Sequence, residues 1–282
     1  MTAVALSIAG SDPSGGAGVQ ADLKTFGALG VYGTAVLTAL TAQNTRGVTG
    51  VHAVPAAFVG EQLRTLLDDV PVDATKLGML GTADVVREVA AVLAQRRCGP
   101  VVCDPVMVAT SGDRLVPEDA VAAIRADLLP LADLITPNVP EAAALLDVAP
   151  ATTVEELAVQ ARALLDLGPG AVLAKGGHLG GAESVDVLVT TDGVVRTRRP
   201  RVATSATHGT GCTLSSAIAA LAARGIGGPG NWLPAVEQAR NYLQQALATG
   251  ESLGIGGGHG PVHHFAAWWS PGIVEDSSTL GE

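Results

Sequence analysis

The sequence predicts an α/β fold in which helices cover both faces of a central, mostly parallel sheet. Short apolar runs alternate along the chain with longer amphipathic runs, the pattern of successive strand–helix–strand units. Hydrophobic residues make up 48% of the 282 residues but aromatic residues only 3%, so we expect a core of Ala, Val and Leu side chains. No Pro- or Ser-rich linker divides the chain. We therefore expect one domain over residues 1–269, followed by a polar tail, 270–282, that is predicted to be disordered.

The predicted elements follow in chain order. Each strand is a short apolar run, and in each helix apolar residues recur every three or four positions. Asp192-Gly193 indicates a hairpin turn. The predicted strands are Val4–Ala9, Ala35–Leu40, Val51–Val54, Lys76–Met79, Val101–Cys103, Leu134–Thr136, Ala171–Ala174, Val185–Thr190 and Val194–Thr197. The predicted helices are Val19–Leu29, Pro55–Leu67, Ala83–Arg96, Pro117–Leu129, Thr153–Leu167, Leu214–Ala223 and Leu233–Thr249, with one more helix starting near Asn138.

Composition and charge exclude several classes of protein. The formal net charge is −10, and the densest basic run, residues 196–201, is predicted to lie on an exposed hairpin, so nucleic-acid binding is not expected. The three cysteines are odd in number and lack metal-site spacing, which excludes a disulfide framework. We find no signal-peptide pattern and no apolar run long enough to span a bilayer. A cytoplasmic protein without membrane contact is the expectation.

The stretch Thr207–Thr213 is the most informative part of the chain, because Gly209 and Gly211 lie just before a small-residue helix. The first amides of a helix have no partner within it, and the helix dipole is positive there. This pattern predicts a site for an anion, most simply a phosphate. Cys212 lies at the same place, where a thiolate is expected to be stabilised. The alternative is an ordinary turn with a helix cap.

Polar residues follow several predicted strands, and ligands of such sheets bind beyond the carboxyl ends of the strands. Asn138 and Glu141 are three residues apart at a helix start, where their oxygens suit Mg²⁺; the alternative is a capping box. Lys175 ends an apolar strand and could neutralise phosphate oxygens, or it could pair with Asp104. The residues that meet at this edge are Gly10, Ser11, Asp12, Gln43, Asn44, Asp104, Asn138 and Lys175.

The glycine-rich segment after the first strand fits a dinucleotide-binding pattern at residues 16–21, but two features exclude that function. The turn from the strand is too long, and residues 34–47 contain no Asp or Glu to hold a ribose. A Gly-Lys-Ser/Thr phosphate loop is also absent from the sequence. We predict a loop that encloses a substrate, with Asp22 on the following helix; a plain glycine turn is the alternative. His178, His208, His263 and His264 lack metal-ligand spacing on any one element, except for the adjacent pair His263-His264, and we expect all four to have structural roles or to support site residues without touching a ligand.

Taken together, these motifs resemble the hydroxymethylpyrimidine/phosphomethylpyrimidine kinases of thiamine biosynthesis, a branch of the ribokinase-like superfamily. The resemblance covers Ala5 to Trp269. The segments that carry it are Ile8–Gly18, Gln20–Thr25, Ala42–Gly47, Lys76–Leu80, Asp104–Met107, Thr136–Asn138 with Glu141-Ala142, Lys175–His178, His208–Cys212 and Gly260–Phe265.

The resemblance implies a three-layer α/β/α ribokinase-like fold, usually in a homodimer. It implies ATP-dependent phosphorylation of 4-amino-5-hydroxymethyl-2-methylpyrimidine and then of its monophosphate, with Mg²⁺; dependence on a monovalent cation stays open. Most ribokinase-like sugar kinases have an aspartate base at the position of Cys212, so the identity of the general base also stays open. The resemblance implies that Gln43 hydrogen-bonds the edge of the aminopyrimidine. The other expected substrate-binding residues are Gly10, Asp22, Met79 and Val106. The residues expected to bind ATP are Lys175, Asn138, Thr207 and Gly209. The residues expected to act in catalysis are Cys212, Gly209, Gly211 and Lys175. The residues expected to bind the metal are Asp104, Asn138 and Glu141.

Two other functions remain as alternatives. A related pyridoxal kinase shares the Cys-containing turn, but the amide of Gln43 offers both a donor and an acceptor to an aminopyrimidine and favours the pyrimidine kinase. A pyrimidine- or nucleotide-binding protein without catalysis is the other, and the joint presence of Lys175, Asn138, Glu141 and the Gly209–Cys212 turn argues against it.

Overall fold

A computed structural model describes residues 1–96, 98–107 and 116–269. The segment predicted to be a disordered tail, 270–282, lies outside the described residues. Within them, nine strands form one sheet in the order β3-β2-β1-β4-β5-β6-β7-β8-β9. The strands are β1 (Val4–Ser11), β2 (Tyr32–Asn44), β3 (Gly47–Ala53), β4 (Ala74–Leu77), β5 (Val101–Cys103), β6 (Leu134–Ile135), β7 (Val172–Ala174), β8 (Glu183–Thr190) and β9 (Gly193–Pro200).

The sheet is mostly parallel, as predicted. Neighbours from β2 through β1 and β4 to β7 run parallel, whereas β2–β3, β7–β8 and β8–β9 are antiparallel pairs at the two sides. In register, Leu77 pairs with Cys103 and Cys103 with Ile135, so β4, β5 and β6 end level with one another. The residues that follow these strands therefore meet at one edge.

Helices cover both faces of the sheet. One apolar layer contains Leu6 and Ile8 with Leu63, Val86 and Leu157, and the opposite layer contains side chains of α1, α7 and α8. Alternate side chains of a strand point to opposite faces, so both layers bury part of the same strands. The helices are α1 (Gly18–Ala28), α2 (Ala56–Leu67), α3 (Ala83–Gln95), α4 (Glu118–Ala123), α5 (Val139–Leu146), α6 (Val154–Leu165), α7 (Thr210–Ala223) and α8 (Leu233–Ala248). The three-layer α/β/α fold is confirmed.

Two predicted boundaries were wrong in ways that matter. Helix α7 begins at Thr210, not Leu214, because Gly209 adopts a left-handed conformation (φ 78°) and accepts the first helical bond from the Thr213 amide (2.8 Å). Strand β2 extends to Asn44, past the predicted end at Leu40, because β3 pairs with it there. No helix among the described residues is long and apolar enough to cross a membrane.

Candidate active site

A cavity of 680 Å³ opens where the parallel strands end. Asp22 does not line it, although a substrate-binding role was predicted for it, and neither does Asn44, which was predicted to lie at this edge. The predicted residues that do line it are Gly10, Gln43, Met79, Asp104, Val106, Asn138, Glu141, Lys175, Thr207, Gly209, Gly211 and Cys212.

The start of α7 forms one wall of this cavity. The amide of Thr210 donates to Thr207 O (3.3 Å) and that of Thr213 to Gly209 O, and the amides of Gly211 and Cys212 lie between them at the positive end of the helix. A Cβ atom added to Gly211 would lie 3.2 Å from Lys175 Nζ. The helix start therefore faces an ammonium group across a short gap, and the two together suit a phosphoryl group.

Lys175 is held by two buried carboxylates. Its Nζ lies 2.6 Å from Asp104 Oδ1 and 3.9 Å from Glu141 Oε2, and the hydroxyl of Thr136 donates to the same Asp104 oxygen (3.1 Å). Burial lowers the pKa of the Lys175 ammonium, but the two carboxylates outweigh burial and raise it overall. The ion pair that the sequence left as an alternative is present, and it keeps a fixed positive charge in the cavity.

Asn138 and Glu141 form a capping box at the start of α5. Asn138 Oδ1 accepts from the Glu141 amide (2.9 Å), and Glu141 Oε2 accepts from the Asn138 amide (2.8 Å). The sheet register adds a bridge between Asn138 and Lys175, which brings the capping box beside the ammonium. The capping alternative is therefore also present, and it uses oxygens that the sequence analysis assigned to a metal.

The fit of Mg²⁺ can be tested on the donor set. Among the described residues, no group of three or more His, Cys, Asp or Glu side chains could hold a metal ion. Burial raises the pKa of Glu141, Lys175 lowers it and Asp104 raises it, and together with the backbone amides that lower it these effects bring it to about 7. Two buried carboxylates thus share one ammonium and favour an additional cation. Mg²⁺ is commonly bound through one or two carboxylates plus phosphates and waters, and Asp104 and Glu141 fit that mode.

Asp22 lies beneath the cavity, and its prediction as a pocket residue needs correction. It is fully buried, with both carboxylate oxygens 2.8 Å from Lys76 Nζ. The hydroxyls of Ser7 and Ser216 each donate to it at 2.6 Å. A buried carboxylate requires such partners, and they direct Asp22 towards the sheet. Lys76, which the sequence analysis did not single out, lines the cavity instead.

The Cys212 side chain does not show the stabilised thiolate expected from its position. Burial raises the pKa of the thiol to about 11, with Lys76 and the Gly18 amide lowering it and Asp22 and Asp104 raising it. Removal from water outweighs the helix start, because the negative carboxylates also face the thiol. Cys212 is a neutral thiol near pH 7.

Gln43 lines the same cavity from β2, beyond the predicted end of that strand at Leu40. The hydroxyl of Thr41 lies 3.1 Å from Gln43 Oε1 and 2.8 Å from the carbonyl oxygen of Ser11. Close packing surrounds Gly10, since a Cβ atom there would lie 2.5 Å from Met79 Cε. An amide beside an apolar side chain suits the edge and face of a small heteroaromatic ring.

Sequence reasoning missed two features of the cavity. Arg199 and Arg201 line it, although the basic run is mostly exposed as predicted, and Arg201 donates to the carbonyl oxygens of Gly177 (2.8 Å) and Gly181 (3.1 Å). His208 lies with its Nε2 2.7 Å from Asp12 Oδ2, and both side chains are buried. The position of Asp12 directly after β1 was the available signal; its partner is 196 residues away, beyond the reach of any local pattern.

The chain is similar to proteins of known families over most of its length. The sequence profile of a family described as phosphomethylpyrimidine kinase matches residues 12–263. A hydroxymethylpyrimidine/phosphomethylpyrimidine kinase of Escherichia coli is 54% identical over 265 residues, 94% of this chain and 98% of that protein. A thiamine biosynthesis multifunctional protein of Corynebacterium efficiens is 50% identical over 93% of this chain and 35% of its own length. Among solved structures, an ADP complex of Bacillus subtilis pyridoxal kinase superposes with a TM-score of 0.87 and 34% identity, covering 96% of this chain and 100% of that one.

Proposed function

This chain belongs to the phosphomethylpyrimidine kinase family, and on that premise we propose that it transfers phosphoryl groups from ATP to 4-amino-5-hydroxymethyl-2-methylpyrimidine and then to the resulting monophosphate. One relative is named for this kinase chemistry and another for thiamine biosynthesis, which supports a place for the reaction in that pathway. One observation carries the proposal: the start of α7 faces Lys175 within the same cavity that contains Gln43. A phosphoryl-binding site and an amide suited to a pyrimidine thus share one enclosed space.

The reaction requires positioning and charge neutralisation more than covalent chemistry. The transferred phosphoryl group carries negative charge on its oxygens, and the amides of Gly211 and Cys212 together with Lys175 Nζ lie where that charge is stabilised. Because the Cys212 thiol stays protonated near pH 7, its backbone amide contributes more than its side chain. Asp104 and Glu141 would hold Mg²⁺ bound to the nucleotide, which supplies further neutralisation when present.

Pyridoxal phosphorylation is the second candidate, because a pyridoxal kinase shares this fold closely. The donor and acceptor of Gln43 favour an aminopyrimidine over it. Both candidate functions are tested by measuring ADP release with three separate acceptors: the hydroxymethyl compound, its monophosphate and pyridoxal. We expect turnover with the two pyrimidines to exceed that with pyridoxal by at least about tenfold. No ADP release with any of the three, despite binding, would favour a protein that binds pyrimidines without catalysis.

We also propose a cytoplasmic homodimer. Strand β3 is an edge of the sheet, and exposed apolar side chains occur on it and on the elements next to it in the chain: Val51 of β3, Leu40 of β2 and Phe58 of α2. An apolar edge strand of this kind is an available pairing surface for a second copy. Sedimentation equilibrium is expected to give twice the chain mass of 28.2 kDa.

A further inference from the structure

The loop of residues 12–17 is organised around the carboxylate of Asp12. Oδ1 accepts from the amide and the hydroxyl of Ser14 (2.9 and 2.7 Å), and Oδ2 accepts from the amides of Gly16 (3.2 Å) and Ala17 (2.8 Å). His208 completes the set with Nε2 at 2.7 Å from Oδ2. One buried carboxylate thus fixes the loop and joins it to the residue directly before the anion-binding turn.

The loop and the turn are also in direct contact, with no space between them. A Cβ atom on Gly16 would lie 2.3 Å from His208 Cδ2, and one on Gly209 would lie 1.7 Å from Gly16 O. The backbone of His208 is held from a third side, since its amide donates to Gly260 O (3.0 Å) and its carbonyl accepts from the Val262 amide (3.4 Å). A shift of the His208 ring therefore displaces the start of α7 as well.

The other end of the same loop reaches the pyrimidine end of the cavity. The carbonyl oxygen of Ser11, which precedes Asp12, accepts from the Thr41 hydroxyl (2.8 Å), and that hydroxyl lies 3.1 Å from Gln43 Oε1. Contacts therefore run continuously from Gln43 through Asp12 to His208 and the amides at the start of α7.

We propose that His208 is a positioning residue: its bond to Asp12 sets the separation between the pyrimidine subsite and the phosphoryl-binding amides of Gly211 and Cys212. This inference rests on the proposed function. In a reaction that depends on alignment, a displacement of about 1 Å can lower the rate about a hundredfold without loss of binding. His208 touches neither reacting group in this role; it acts through the turn that follows it.

Three substitutions at one position test the proposal. His208→Gln places an amide nitrogen where Nε2 lies, His208→Asn places one only as far out as Nδ1, and His208→Leu removes the donor. We expect His208→Gln to keep kcat within about threefold of the wild type, and His208→Asn and His208→Leu to lose about thirtyfold or more in kcat, with KM for the pyrimidine and for ATP changed less than threefold. Equal losses in the Gln and Asn variants, or losses confined to KM, would overturn the proposal.

A second measurement does not depend on turnover. Hydrogen exchange of the peptide that contains residues 209–213 is compared between the wild type and Asp12→Ala, with the peptide that covers α3 as the internal reference. We expect about tenfold faster exchange at the start of α7 and no change in α3. Unchanged exchange at 209–213 contradicts the coupling. An inactive wild type with altered exchange in the variant would instead contradict the proposed function and leave the coupling supported.

Discussion

Lys76 Nζ lies 2.8 Å from both carboxylate oxygens of Asp22, and neither side chain is exposed to solvent. Burial lowers the pKa of the lysine, but Asp22 outweighs burial and raises it, so Lys76 carries its positive charge. Ser216 donates to Asp22 from one helical turn beyond Cys212 on α7. Through Ser216, the pair therefore links the N-terminal half of α7, and with it the anion-binding turn, to strand β4.

Breaking this pair from one side is expected to destabilise the protein strongly. Lys76→Met leaves a buried carboxylate without its cation, which costs about 3–5 kcal/mol in the free energy of unfolding. The double variant Lys76→Met with Asp22→Leu is expected to cost less than the sum of the single changes, because no charge is left unpaired. Urea unfolding measures the free energy of unfolding of the single and double variants. Arg87→Ala is the control: its ion pair with Asp84 lies on the surface (3.3 Å) and is expected to contribute less than about 1 kcal/mol.

Sequence patterns predicted most of the fold and the edge where the site lies, and the reason is physical. Hydrophobic alternation is a local signal, so β5 was predicted at Val101–Cys103 with its observed bounds, and the residue after it, Asp104, was assigned to the cavity. Pairings between distant residues carry no local signal. The family resemblance placed Asp22 among the substrate-binding residues, whereas Lys76, 54 residues away, holds its carboxylate beneath the floor of the cavity.

The pKa of Cys212 gives a prediction about pH. A raised pKa keeps the thiol protonated up to about 11, so no thiolate forms between pH 6 and 9. We expect kcat of Cys212→Ser and of Cys212→Ala to stay within about tenfold of the wild type, because both keep the backbone amide at the helix start. Their pH profiles over this range are expected to match that of the wild type. A rise in wild-type kcat near pH 7 or 8 that both variants lack would show that the thiolate takes part.

Lys175 is expected to act on phosphoryl transfer through its charge. Lys175→Met removes the ammonium beside the start of α7 and leaves Asp104 and Glu141 facing each other without a cation. We expect kcat to fall about a hundredfold or more, the loss typical of one fixed donor to a developing charge. Lys175→Arg keeps the charge and is expected to recover part of the activity. Steady-state measurement of kcat at saturating Mg²⁺-ATP compares Lys175→Met with Lys175→Arg. Equal kcat values for the two variants would contradict an electrostatic role.

Gln43 is expected to determine acceptor affinity. Gln43→Leu removes the donor and the acceptor together, leaving polar groups of a bound aminopyrimidine unpaired at a cost of about 1–3 kcal/mol. This corresponds to a rise of roughly tenfold to a hundredfold in KM for the pyrimidine, with KM for ATP unchanged. The neighbouring Asn44 provides a control, since its exposed side chain does not line the cavity and accepts from the Arg46 amide in the turn that follows (2.9 Å), so Asn44→Ala is expected to leave both KM values unchanged. A parallel rise in both KM values would show that Gln43 supports the fold and does not recognise the acceptor.

Gly209 is expected to tolerate no side chain, for two separable reasons. Its φ of 78° disfavours residues with a Cβ atom, and a Cβ atom there would lie 1.7 Å from Gly16 O. Asn adopts left-handed conformations more readily than Ala, so relief of backbone strain alone would make Gly209→Asn the milder change. Because the clash with Gly16 remains in both variants, we expect both to lose about a hundredfold in kcat.

Gly27→Ala serves as the control for the Gly209 variants. Gly27 lies in α1 with no atom within 4 Å of an added Cβ, and its substitution is expected to stabilise the protein by about 0.5–1 kcal/mol without affecting turnover. Recovery of activity in Gly209→Asn alone would assign the requirement to backbone conformation and remove the contact with the substrate loop from the argument.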